Sequence, residues 1–499
     1  MKMVGNAMVK PGLKRDLGLL RATMLGIGGT ISASGFVIIG YAAGLAGYAI
    51  VPVVLVCGVI SLLTMFSYAE LGTAIPLAGG EYTWAKVAYG GFVGFLTGWF
   101  EWISNMFYAA ISAIGFAYVI SYIFIKINIQ INIPLVAVFV VLVFTIVNLR
   151  GVKETGTAET IIAILVLVIL GTFVLGGWSH VEGTQAPSAP IGLIGIFAAV
   201  SYLFELYLGG EAVAAAQAEI KNPGRNIPWA IVLSSVIMIV VYTSVVFVAV
   251  GIVPPEVLSQ QSSPIAFVAE KAMGPAVGIL VTIGLAMAGL ATTNETIMAQ
   301  SRVLYAMGRD GYLPKKLCLI SKRFCTPYIA ILVGAVFTAL FAATGLVNFV
   351  VYAVNFGFII GFSLVNLSLI KLRKIAPHLK RPFKVPLFPI TPIAGLATCA
   401  LLVLFIEPSV LVLGLELGVV ALLVYYIRMI GYNRIRIAFG GISLGLGGFV
   451  AFIASMLGTK VIVLQGVSPV VSSLVFYVLV IVAVIQISAG ILNLVASDH

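Results

Sequence analysis

Charge is what this sequence has least of. Of 499 residues only 9% are Asp, Glu, Lys or Arg, against 61% hydrophobic, whereas soluble chains carry about 25% charged residues. That excludes a water-soluble globule and favours many membrane-crossing helices. Histidine is nearly absent, at 3 residues. His180 and His378 are expected in loops on opposite faces and His499 is terminal, which leaves a membrane enzyme without a base of that kind. The four cysteines are Cys57, Cys318, Cys325 and Cys399. Cys318 and Cys325 have no third or fourth ligand nearby, and structural zinc sites need about four, so neither a metal nor a cofactor is expected. Polar linkers long enough for a soluble domain, heptad repeats and low-complexity tracts are also missing. Met1 to Arg21 is too polar for a cleavable leader and offers no cleavage region.

Hydrophobic runs are what is abundant. No charge interrupts the chain between Arg21 and Glu70, which is room for two spans at about 20 residues each. The sequence as a whole accommodates fourteen. Threading them alternately, with both termini on the cytoplasmic side, puts every Lys and Arg inside except Lys126, Lys271 and Lys460. This is the positive-inside bias of a cytoplasmic-membrane protein. It also accounts for the net charge of +11 without nucleic acid as a partner. The basic stretch from Lys371 to Lys384 reads as an orientation signal in contact with anionic lipid.

Two spans contain residues that disfavour a continuous helix. In the first, Gly26, Gly28, Gly29 and Gly35 lie beside Thr30, Ser32 and Ser34. Glycine weakens helix interiors, and hydroxyl side chains bond local backbone groups. Close helix packing would explain the glycines alone. The sixth span, however, repeats the pattern at Gly209 and Gly210, flanked by Glu205 and Glu211. Two interrupted spans five places apart in chain order suit an inverted-repeat transporter, whose half-helix ends and freed backbone groups meet substrate and ions near the midplane.

Several segments resemble amino acid permeases of the amino acid–polyamine–organocation family. They are LKRDLGLLRATMLGIGG (Leu13 to Gly29), PLAGGEYTWAKVAYGGFVGFLTGW (Pro76 to Trp99) and NLRGVKETG (Asn148 to Gly156). AEIKNPGRNIPWAI (Ala218 to Ile231), TTNETIMAQSRVLYAMGRDGYLPK (Thr292 to Lys315) and RPFKVPLFP (Arg381 to Pro389) follow in the family's order. The resemblance implies an all-α polytopic membrane protein with a five-plus-five inverted repeat and broken helices 1 and 6. Residues 1–21 would be a cytoplasmic segment and 22–370 the ten-helix core. The basic inner loop and helices 11 and 12 would occupy 371–427, and two additional helices 428–499.

Carried onto this sequence, the resemblance implies a substrate site at the junction of helices 1, 3, 6 and 8. From helix 1 it would use Gly26, Ile27, Gly28, Thr30, Ser32, Ala33, Ser34 and Gly35. The substrate carboxylate would lie near Ser32 to Ser34, where relatives carry Gly–small–Gly. Helix 6 would supply Phe204, Glu205, Leu206, Tyr207 and Gly209, and helix 8 Asn294. Glu205, Glu211 and Glu295 are candidates for coupling or gating. Glu205 reads either as an interhelical or interface acid, or as a carboxylate receiving a substrate ammonium or a transported proton. Glu211 reads mainly as an acid satisfied by freed backbone donors. No lysine stands near Val166 to replace a sodium ion, so a coupling proton is one possibility and sodium another.

The implied function is secondary active transport of an amino acid or related amine, coupled to protons in one version. The alternative is a non-transporting amino-acid receptor or membrane chaperone on the same fold. A channel is disfavoured by the lack of a carbonyl filter or acid rings. Tags on the two termini of the protein in sealed cells are expected to be reachable from the cytoplasmic side only. Labelling of one tag from outside would overturn the alternation.

Overall fold

The computed structural model describes residues 17–76, 79–151, 155–182, 189–217, 220–429, 432–458 and 469–495. Among these the structure is helical, apart from one parallel bridge between Leu17 and Ile220. In chain order the helices are α1 (Leu19–Thr30), α2 (Ala33–Ala46), α3 (Ile50–Ala74), α4 (Gly80–Tyr89) and α5 (Gly91–Lys126). Then come α6 (Ile133–Arg150), α7 (Thr155–Trp178), α8 (Gly192–Leu203), the single turn α9 (Ala212–Ala215) and α10 (Pro223–Ile252). The short α11 (Pro255–Leu258) and α12 (Pro264–Met273) precede α13 (Pro275–Arg309), α14 (Tyr328–Ala342) and α15 (Val347–Ile375). Last are α16 (Ile390–Val403), α17 (Pro408–Met429), α18 (Tyr432–Gly458) and α19 (Pro469–Val495).

Prolines set many of the starts. α10, α12 and α13 each carry one at the first positions, where the missing N–H is no loss. α6 adds a side-chain cap, with the Leu135 N–H donating to Asn132 Oδ1 at 3.1 Å.

Nine helical stretches among the described residues are long and apolar enough to cross a membrane. The sequence accommodates more: α2 and α3 fall in one stretch, Ala33–Ala74, the apolar parts of α18 and α19 among the described residues are shorter, and so are α14 and α16, of 15 and 14 residues. At 1.5 Å per residue each of the last two spans only about 22 Å, short of the roughly 30 Å hydrocarbon core. The chain divides into two compact units, Met1–Val419 and Val420–His499. In the second, α18 and α19 pack against each other. In the first, α5 is the central element, in contact with α2, α4, α6, α13, α14 and α15.

Ion pairs close one end of the first unit. Glu70, near the end of α3, is fully buried. Arg373 of α15 grips it through Nε at 2.9 Å and Nη2 at 2.5 Å, and Arg381 Nε lies 3.2 Å from the same carboxylate. The Val385 N–H donates to it at 2.7 Å, while the Arg381 guanidinium also donates to the carbonyls of Leu372, Ala376 and Leu379. One buried acid therefore organises the whole basic loop after α15. At the same end Tyr82 Oη and Lys86 Nζ of α4 both donate to Asp310 at 2.7 Å, just beyond α13. Burial acts to raise the Asp310 pKa, but these two donors and Arg309 outweigh it and hold the carboxyl below its ordinary value.

Removing the acid from a buried pair strands its cations, which costs about 3–5 kcal/mol. Glu70→Ala is expected to lower thermal stability of the purified protein sharply, while Lys374→Ala, on an exposed side chain of the same helix end, leaves it near wild type. Equal melting of the two variants would contradict the clamp.

Candidate functional site

The glycine- and serine-rich stretch yields two helices in place of one. α1 stops at Thr30, Ile31 and Ser32 are extended, and α2 begins at Ala33. Ser32 caps the new helix by accepting the Ser34 N–H at 3.2 Å. The stretch around Gly209 behaves similarly. α8 ends at Leu203, Phe204–Tyr207 forms a 3₁₀ turn, Leu208 is extended, and Gly209 adopts φ +111° before α9. A side chain at Gly209 would be strained by that φ and would run into the Gly29 carbonyl. The two interruptions therefore touch backbone to backbone.

Interrupting a helix frees carbonyls, and hydroxyls from neighbouring helices receive them. Tyr108 Oη of α5 donates to the Gly29 carbonyl at 3.2 Å and lies 3.4 Å from that of Leu208, bridging both interruptions. Tyr242 Oη of α10 donates to Thr30 O at 2.9 Å, and Thr292 Oγ1 of α13 to Ile31 O at 2.9 Å. Each removes an acceptor that an apolar medium would leave unsatisfied. These three residues were not singled out from the sequence, because hydroxyls on apolar helices are common and their target carbonyls are distant in the chain.

Glu205 is 1% exposed and sits at the meeting point. Ser34 Oγ donates to its Oε1 at 2.6 Å, and Ser32 Oγ lies 2.5 Å from Ser34 Oγ and 3.1 Å from Ser112 Oγ of α5. The other oxygen, Glu205 Oε2, is buried without a hydrogen-bond partner. A serine chain thus leads across α5 and α2 to a carboxylate with one oxygen committed and one open. Gly115 completes the contact: a Cβ there would fall 2.5 Å from the Ser34 nitrogen. Tyr108, Ser112 and Gly115 recur at helical spacing along one face of α5, and that i, i+4, i+7 pattern was the available signal.

The remaining candidates disperse around this centre. Ala33, Gly35, Phe204 and Leu206 are buried beside it, with Leu206 against Gly35 and the Phe204 ring packed on Phe362. Tyr207 turns away and donates to Val54 O at 2.9 Å. Gly26 faces Ser234 and Val213, Thr30 Oγ1 donates back to Gly26 O at 2.7 Å, and Ile27 is fully buried. Asn294 Oδ1 accepts from Asn148 of α6 at 2.9 Å. Glu211 accepts the Gly209 N–H at 2.9 Å, which ties it to the local turn. Glu295 lines a small, mostly apolar cavity with Gly28, Ile31, Ala163 and Val166. Among the described residues no group of three or more His, Cys, Asp or Glu could hold a metal.

An all-helical, multi-spanning protein with an enclosed carboxylate between two helix interruptions belongs to the class of membrane transporters. Residues 17–430 match the amino acid permease family model, and the chain belongs to that family. It is 27% identical over 442 residues to the branched-chain amino acid permease BcaP of Bacillus subtilis, covering 85% of this chain and 95% of that one. It is 29% identical over 408 residues to the methylthioribose transporter of the same organism, covering 78% and 87%. The cationic amino acid transporter 3, mitochondrial, of Arabidopsis thaliana is 28% identical over 385 residues, covering 73% of this chain and 62% of that one.

Gly115→Ala pushes on the backbone of Ser34, whereas a Cβ at Gly28 meets only Ala163 at 3.9 Å. Gly115→Ala is expected to weaken ligand binding to the purified protein at least about tenfold, since a displaced contact group readily costs more than 1.4 kcal/mol. Gly28→Ala should bind as wild type does. The reverse order would move the working centre towards Gly28.

Proposed function

We propose that this protein carries out secondary active transport of an amino acid across the cytoplasmic membrane by alternating access. In this reading α1–α2 and α8–α9 are the interrupted first and sixth spans of a five-plus-five inverted repeat. Fourteen crossings, with α14 and α16 as short ones that thin the bilayer locally, bring both termini to the cytoplasm. The observation that carries it is Glu205, buried where the two interruptions meet, with Oε2 unpartnered. An ammonium group is a natural occupant for that oxygen, because a buried carboxylate gains most from a charge-assisted hydrogen bond. The substrate carboxylate then lies by the first turn of α2, near Ala33 to Gly35, where helix N–H groups other than that of Ser34, which Ser32 accepts, have no intrahelical partner.

The ion-paired end, with Glu70 clamped by two arginines and Asp310 held by α4, is the closed cytoplasmic gate. The opposite end, at the start of α15, is open. This arrangement is one half of the transport cycle, and rocking of the interrupted helices against α5 and α10 gives the other. Neutral amino acids with branched apolar side chains are the first substrates to examine, given the relative named for them. Methylthioribose belongs in the same panel.

The test is uptake of a radiolabelled panel into proteoliposomes with pH and sodium gradients imposed separately. The proposal expects accumulation of at least one amino acid. Binding without uptake would instead identify a receptor, and uptake of methylthioribose alone would exclude an amino acid as cargo. Glu205→Gln keeps the shape and removes the charge, so affinity should fall about ten- to a hundredfold, the 1.5–3 kcal/mol of a charged hydrogen bond. If Glu205 carries the coupled proton, binding survives and accumulation driven by the pH gradient is lost while counterflow persists. Wild-type affinity and accumulation in that variant would remove Glu205 from both roles.

A further inference from the structure

A second polar cavity opens at the Val347 end of α15, and nothing in the central site uses it. Its volume is about 660 Å³, within the roughly 300–1,000 Å³ of small-molecule pockets, and it opens to the outside as a mouth. Its walls come from α2, α5, α8, the 259–262 loop, the start of α15 and Glu407 before α17. Tyr41, Tyr118 and Tyr202 line it, and among the described residues no Lys or Arg does. Glu407 is its one ionisable acid; Ser409 Oγ donates to Oε1 at 2.9 Å and the side chain is otherwise exposed. The rings are fixed: Tyr41 lies 4.9 Å and Tyr352 5.2 Å from Tyr202, whose hydroxyl donates to Asn348 Oδ1 at 2.6 Å.

Two of its lining residues are close in the chain to the Ser34–Glu205 pair: Ile38 is one helical turn beyond Ser34 on α2, and Tyr202 is three residues before Glu205. A carboxylate, phenol rings and the absence of a lining cation make a cup that attracts positive charge and gives it aromatic faces. We infer that this mouth is a loading site for primary ammonium compounds, in which Glu407 and the Tyr41–Tyr202 pair take the ammonium end before it passes inward to Glu205. This rests on the transport reading above, since only a passing substrate gives an outer site its purpose.

The functional consequence is kinetic. An exposed carboxylate contributes up to about 1 kcal/mol to a pairing, and an exposed ring contact about 0.5–1. Glu407→Gln is therefore expected to lower kcat/KM for L-leucine uptake in proteoliposomes about three- to fivefold. Vmax should remain at the wild-type level, which also certifies the fold. Glu407→Asp should restore most of the loss. The wild-type kcat/KM should fall as ionic strength rises, and that of Glu407→Gln should respond less. Replacing Tyr41 with Leu should add to the defect, whereas Tyr41→Phe, which keeps the ring, should not.

If leucine is not carried, the best-transported member of the twenty amino acids takes its place as probe. Uptake by wild type with the same kcat/KM and salt dependence in Glu407→Gln would overturn the loading site and leave the transport reading intact. A wild-type protein that moves none of the twenty would overturn both.

Discussion

Backbone hydrogen bonding at bilayer depth is the constraint on which the rest of this structure depends. A helix that stops in hydrocarbon leaves carbonyls and N–H groups that only protein can satisfy. Here the stops at Thr30 and Leu203 are tolerated because they face each other and because Tyr108, Tyr242 and Thr292 reach in from three other helices. Gly29, Gly209 and Gly115 are small for the same reason: backbone has to approach backbone. The candidate site is then centred on these satisfied ends, with Glu205 Oε2 as an unpartnered oxygen beside them.

Comparison of the buried acids sharpens that distinction. Glu70 has two guanidiniums and a backbone N–H on its two oxygens, the pattern of an acid whose charge is permanently required. Glu211 is occupied by the turn that it closes. Glu205 has a single hydroxyl on Oε1 and nothing on Oε2. An unpartnered buried oxygen costs about 1–3 kcal/mol, and a ligand or a proton that fills it recovers that free energy. Glu101 Oε2 is unpartnered as well, so what singles Glu205 out is that its open oxygen lies where the two helix interruptions meet.

The all-helical, multi-spanning character of the fold was legible in the sequence because hydrophobic runs are a one-dimensional signal. The interruptions were legible too, since Gly–Gly and Ser-rich stretches inside apolar runs are local. The exact stop was less so: which serine caps the new helix and which donates to Glu205, Ser32 and Ser34 respectively, is not readable from the Ser-Ala-Ser run. The residues that complete the centre, Tyr108, Ser112, Tyr242 and Thr292, lie about 80 to 260 positions from the groups they bond. No local pattern could pair them with it. Gly28, prominent in the sequence, faces an ordinary contact, while Gly115, unremarked in a long apolar helix, presses on Ser34.

The central claim is that Glu205 is the polar anchor for a ligand held between the two helix interruptions. A cryo-electron microscopy structure with the best-transported amino acid bound tests it most directly. The account predicts the ligand's ammonium group within about 3 Å of Glu205 Oε2 and its carboxylate at the first turn of α2. A ligand bound elsewhere, with Glu205 still carrying only Ser34, would contradict it.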